Sequence, residues 1–267
     1  MVQANTTNSF NDLRLSSSDI EVRRITTRDL WLALQAGYAD FGARPTFGVF
    51  LILVYPLSAL LFTLFLQGTD LPYLAFPMLA GFTLLGPVVS LALFELSRRR
   101  EAGLDLTWRG AFEFVHYPTF AGMLALTLVM AVLYVGWLFM AEFLYFGLFG
   151  ANPPASLAEF GARLIGTEPG IALILYGNAL GLIFAFVALS ISVVAFPLLL
   201  DKPVSFLTAV GTSIRAVASN LYVMLLWGVI VVALLAGGAL VLLVGLAAVL
   251  PILGHATWHL YRRLIVA

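Results

Sequence analysis

The sequence predicts an all-α polytopic membrane fold: six transmembrane helices as three hairpins, each preceded by a cytoplasmic interfacial amphipathic helix. Composition, the spacing of apolar tracts and the placement of arginine carry that expectation. Hydrophobic residues make up 61% of the 267 and charged residues only 10%, with a mean hydropathy of +1.01. A soluble domain carries about 25% charged residues, so this chain lacks the polar groups to cover a globular surface. Its formal net charge of zero gives nucleic acid nothing to bind; the expected partners are the lipid bilayer and a membrane-protein complex. The absence of cysteine excludes disulfides, thiolate metal sites and cysteine nucleophiles.

The elements follow in order. Residues 1–25 are polar, lack the apolar stretch of a signal peptide, and read as a flexible cytoplasmic tail before a single integral-membrane domain, 26–267. Apolar tracts run over about 46–66, 73–96, 118–143, 170–200 and 221–254. The last is too long for one span, since 34 residues of helix measure about 51 Å against a hydrocarbon core of about 30 Å. Folding it back at Gly237-Gly238 makes two short spans. Basic residues favour that choice. With the N-terminus cytoplasmic and six spans, 13 of the 14 basic residues lie on the cytoplasmic side, and only Arg163 lies outside. Five spans would place Arg262 and Arg263 on the wrong side. Both termini are therefore expected in the cytoplasm of a bacterial inner membrane.

A weak repeat points to the same count. Before the first, third and fifth spans lies a segment with helical apolar spacing. The first carries Leu30, Leu34, Tyr38 and Phe41 on one face, with Arg28, Asp29, Gln35 and Asp40 largely elsewhere. Thr26 with Asp29 resembles a capping box. The second carries Trp108, Phe112 and Val115, and the third Phe206, Val210, Ile214 and Val217. Asp29, Asp105 and Asp201 start the three segments, giving repeat units of about 26–97, 104–200 and 201–267. Such helices lie in the headgroup plane.

The stretch RDLWLALQAGYADFGARP, the Gly86-Pro87 and Glu95 of GPVVSLALFELSRRRE, and the closing HATWHLYRRLI resemble a bacterial family known as domain of unknown function 2189. The resemblance runs from about Val22 to the C-terminus. Some members carry a label as putative cytochrome c oxidase subunits, but no activity is established for the family, so it implies no site residue. The alternation of amphipathic segments and hairpins is also similar, in pattern only, to membrane domains attached to glycerophosphodiester phosphodiesterases.

Five residues invite a functional reading. His255 and His259 stand four apart, so they share a helix face with metal-compatible spacing, and His116 lies on the same side of the membrane. The simpler account is that all three face water or phosphate beside interfacial aromatics, with Arg262 and Arg263 repelling a cation. Glu95 near the end of the second span reads as an ion pair with Arg98 and Arg99. Asn178 is the deepest strongly polar residue. No ionisable group lies near a midplane, which disfavours proton-coupled transport, and no haem ligands lie within the spans. Prolines 56, 77, 87, 197 and 251 could mark the broken helices of a transporter, or serve packing. Gly81, Gly86, Gly177 and Gly181 read as close helix contacts. Glu159 and Arg163 form an i, i+4 pair on a short outer helix. No phosphate loop, nucleophile elbow or zincin helix is present. The expectation is a non-catalytic accessory or assembly factor or lipid-interacting scaffold, with no cofactor or metal. The alternatives are a transporter of hydrophobic or amphipathic substrates and a respiratory-chain accessory subunit without its own redox centre.

Overall fold

The computed structural model describes residues 20–43, 71–240 and 245–266. The first apolar tract with Pro56, its flanking Arg44 and Asp70, and most of the N-terminal tail lie outside those residues. The described chain is almost entirely helical. Among the described residues, four segments are long and apolar enough to cross a membrane: Pro72–Glu101, Phe120–Phe149, Glu168–Asp201 and Leu221–Leu240.

Helix α1, Thr27–Ala43, begins as its sequence suggests, with the Asp29 carboxylate accepting from the backbone and hydroxyl of Thr26, each at 2.8 Å. Its buried face is not the expected one. Leu30, Ala33, Gly37 and Asp40 are buried, while Tyr38 is 66% exposed and Trp31 61% exposed. The reason is its partner. α1 packs along the last described helix, α12 (Leu246–Leu264), and a Cβ on Gly37 would come within 2.5 Å of the Ala256 backbone nitrogen. Small residues permit that approach, and larger apolar ones turn away from it.

The segment Pro72–Glu101 is broken in several places. Two 3-10 turns, Pro72–Leu74 and Thr83–Leu85, separate α2 (Ala75–Phe82), α3 (Gly86–Val89) and α4 (Leu91–Glu101). Pro87 has no N–H for the preceding turn, so it sits where a helix starts rather than continues. The expected second amphipathic helix is also interrupted. Thr107 caps a single turn, α5 (Trp108–Ala111), and a 3-10 turn follows over Glu113–His116. Pro118 then holds Tyr117 in extended backbone. Trp108, Phe112 and Val115 nevertheless share exposure.

Helix α6 (Phe120–Phe149) is a single rod. The outer loop holds α7 (Leu157–Gly166), capped by Ser156, with Arg163 donating to Glu159 at 2.5 Å. Thr167 caps α8 (Glu168–Ser192). α9 (Ala195–Asp201) follows a break at Val193-Val194, and the Val194 N–H freed there donates to Ser213 Oγ at 3.2 Å. Asp201 thus ends a helix; Ser205 starts the next, α10 (Phe206–Ser219). Asp105 starts none. Of the three aspartates proposed as helix starts, only Asp29 has that role. α10 buries Ala209, Thr212, Ser213, Ala216 and Val217, and leaves Ile214 exposed, a rotation from the expected stripe set by its packing on α8 and α9.

The long last tract is two helices. α11 (Leu221–Leu240) ends six residues before α12 begins at Leu246, and they pack together. Gly245 lies so close to Gly238 that a Cβ would meet its carbonyl at 2.7 Å. Residues 20–25, placed in the tail by their polarity, are docked. Val22 bridges Ile265, Arg23 donates to the Leu264 carbonyl at 2.8 Å, and Asn220 bonds the backbone of both Ile25 and Arg23.

Of the glycines expected to mediate close contact, Gly81 does so against Trp137, Gly181 meets the same ring at ordinary distance, and Gly86 faces open space. Gly37→Val should therefore destabilise by about 1–3 kcal/mol, the usual range for overpacking. Gly42→Ala, with open space around it, should be neutral or mildly stabilising. Thermal melting of the detergent-solubilised protein checks both.

Candidate functional site

Polar side chains gather at one end of the molecule, where α4, α9 and α12 finish and α1 packs along α12. Asp40 is at the centre. Helical spacing brings it onto the buried stripe three residues after Gly37, so the close approach at Gly37 carries its carboxylate into the gap between α4 and α12. Ser97 donates to Oδ2 at 2.5 Å, Arg100 pairs with Oδ1, and His259 Nε2 lies 2.8 Å from Oδ2. The Ser97 hydroxyl has a single proton. With that proton given to Asp40, the Nδ1–H of His255 donates to Ser97 Oγ across 2.8 Å.

Burial by itself raises the Asp40 carboxyl. The hydrogen bonds from His259 and Ser97 and the neighbouring positive charge outweigh it, and hold the group at about 2. Asp29 behaves alike at the other end of α1: burial opposes its ionisation, but Thr26 and Arg263, 3.0 Å away, bring it below its ordinary value.

A second cluster surrounds Glu95, whose side chain is fully buried. Arg98 donates to both its oxygens at 2.8 Å and Tyr117 donates at 3.1 Å. The Arg98 guanidinium also sits 5.6 Å from the Tyr117 ring centroid, a cation–π arrangement. Burial, then the charge of Glu95, raises the Tyr117 phenol. A third group ties α12 to α4 and α9: Tyr261 donates to Asp201 at 2.7 Å, and Arg262 and Trp258 donate to Glu101 at 3.1 and 3.2 Å.

The structure thus brings His255 and His259 together on one face, as their spacing predicts. It does not turn them to water or phosphate: His255 is buried and both point to the Asp40–Ser97 pair. Glu95 forms the expected ion pairs. His116 is exposed on its 3-10 turn and joins neither cluster. Arg262 and Arg263 are held by carboxylates rather than left to repel a cation. Among the described residues no group of three or more histidine and carboxylate side chains is placed to hold a metal, and Arg100 already occupies Asp40. Ser, His and Asp here do not form a nucleophilic triad. The hydroxyl lies between the other two, is 1% exposed, and gives its proton to the carboxylate rather than to histidine.

Asn178 lies elsewhere. It is exposed on α8, donates to the Ile174 carbonyl at 2.7 Å, and lines a mostly apolar cavity of about 230 Å³ between α2, α6, α7 and α8.

Sequence periodicity missed Asp40, Ser97 and Tyr117. Asp40 has one visible signal: it continues the small-residue stripe Ala33–Gly37, which is where a close helix contact falls.

A family model described as "Predicted integral membrane protein (DUF2189)" matches residues 75–201. Those residues match the family that the sequence resembles. DUF2189 accounts for α2 through α9, and with them Glu95, Ser97, Arg100 and Asn178. Asp40, His255 and His259 fall outside the matched residues, so the network joins the DUF2189 segment to the two ends of the chain. No curated protein and no solved structure matches the chain.

Asp40→Ala should cost roughly 1–3 kcal/mol, the range for leaving a buried donor such as the Ser97 hydroxyl without its acceptor, read by thermal or denaturant unfolding in detergent. The pH dependence has a definite sign. The depressed folded-state value means that Asp40 contributes fully above its ordinary 3.8 and loses that contribution as pH falls toward about 2. Asp40→Asn should flatten that part of the stability profile.

Proposed function

We propose that this DUF2189-containing chain is a non-catalytic inner-membrane protein, an accessory or assembly factor or a lipid-interacting scaffold for a membrane complex. The observation that supports it most is the state of its polar groups. The buried charges at the polar end are engaged with one another, so they act as clamps between helices rather than as poised reactants. A general base or nucleophile needs an open position for substrate, and Asp40, Glu95 and His255 have none.

In this reading the chain has six spans as three hairpins. The clustered arginines at the polar end face the cytoplasm together with both termini, and the outer loop with Arg163 faces the other side. The exposed apolar rows Leu124, Leu128 and Val132 of α6 and Leu225, Val229 and Val232 of α11 suit lipid tails or the spans of a partner. A second reading, transport of a hydrophobic or amphipathic substrate, is favoured by the apolar cavity beside Asn178. The respiratory accessory-subunit reading draws on the label of some DUF2189 members alone.

Native mass spectrometry of the protein in mild detergent should find a stoichiometric membrane-protein partner, and its absorbance spectrum should show no haem band. A haem band would overturn the non-redox reading. The lack of native cysteine makes topology direct to check. A cysteine at Gly237 should react with an impermeant reagent from the periplasm, and one at Arg263 only from the cytoplasm.

A further inference from the structure

The cavity beside Asn178 lies away from the polar end. Its α6 walls, Trp137 to Tyr145, stand 17 to 25 residues from the start of that helix, or about 26–38 Å along its axis. Its α8 wall runs from Leu173 to Leu180, a depth of about 10 Å. The walls are fixed. The Trp137 indole donates to the Pro77 carbonyl at 2.8 Å, and Tyr73 stacks on Tyr145 with centroids 4.3 Å apart. Phe160 of the outer helix α7 lines the cavity against Tyr145, 6.2 Å between centroids. Phe76 and Asn178 are exposed where the cavity meets the surface.

We propose that this cavity is a binding site for the terminal carbons of one acyl chain, entering sideways from the leaflet opposite the polar end. The volume, about 230 Å³, exceeds that of the engineered apolar cavities of about 150 Å³ that hold benzene. Its lining is nearly all hydrocarbon and aromatic, so water gains few partners there. An exposed mouth on a membrane-spanning bundle meets lipid tails rather than dissolved solutes. Asn178 sits at that mouth with its amide nitrogen bonded back to its own helix. The site stands whether or not the polar end recruits a protein partner.

The test uses the full chain in nanodiscs of phosphatidylethanolamine and phosphatidylglycerol, with a long-chain fatty acid bearing a terminal diazirine. Photolabelling should saturate, fall when unlabelled fatty acid is added, and map to peptides containing Trp137 or Asn178. A Cβ on Gly177 would meet nothing closer than Leu144 Cδ2 at 3.9 Å, so Gly177→Leu fills the cavity without a backbone clash. It should weaken saturation by about tenfold, equivalent to about two buried methylenes. Leu173→Trp fills the cavity from its outer part and should act alike, which covers the failure of either variant to fold. Leu128→Trp, on the exposed face of α6, should leave labelling unchanged. Labelling that never saturates, or that spreads evenly over the α6 and α11 faces, overturns the proposal. So does undiminished labelling in a folded Gly177→Leu or Leu173→Trp protein.

Discussion

A carboxylate removed from water must be met by donors, and at Asp40 those donors come from two helices far away in sequence. Ser97 and Arg100 lie on α4, and His259 on α12. An uncompensated charge at that depth costs several kcal/mol, so the three helices can close only in the arrangement that brings all three groups together. Gly37 makes the arrangement sterically possible and Asp40 makes it specific. The remaining pairs, Asp29 with Arg263 and Glu101 with Arg262, then fall into reach along the same helices. Exposed pairs of that kind contribute modestly by themselves. Their geometry follows from the docking more than it causes it.

The apolar part of the molecule obeys different physics. Lipid tails are as apolar as leucine, so helices there associate through packing and hydrogen bonds rather than through exclusion of water. The contact of Gly81 with Trp137 and the indole bond to the Pro77 carbonyl are of that kind. Breaks in the spans are tolerated because side chains satisfy the freed backbone, as Ser213 does for Val194. This division places the buried charge pairs at the polar end and leaves the apolar rows of α6 and α11 exposed.

What could be read from sequence follows the range over which each signal acts. Hydropathy is a property of continuous segments, so the apolar tracts after Tyr73 were visible, as was the division of the tract following Leu221. Pairs three or four residues apart were visible too: Glu95 with Arg98, Glu159 with Arg163, and His255 with His259 on one face. The burial of Asp40 was not, because helical periodicity ranks an aspartate as polar surface. Only partners 57 to 219 residues away reverse that ranking. The recurrence of Asp29, Asp105 and Asp201 before three apolar tracts, 76 and then 96 residues apart, misled for a related reason. A helix start is decided by which oxygen reaches the N2 or N3 amide, and at the second and third positions Thr107 and Ser205 do so.

The pairing of Val22 with Ile265 and of α1 with α12 has a consequence for synthesis. The 219 residues between Asp40 and His259 take roughly 10–40 s to translate at about 5–20 residues per second. Throughout that interval α1 lacks its main docking partner, and Asp40 has only the Ser97 and Arg100 donors of α4 within the chain already made. The helix made early is therefore the one that locks last. Synthesis of α12, rather than insertion of any earlier span, is the event that closes the polar end.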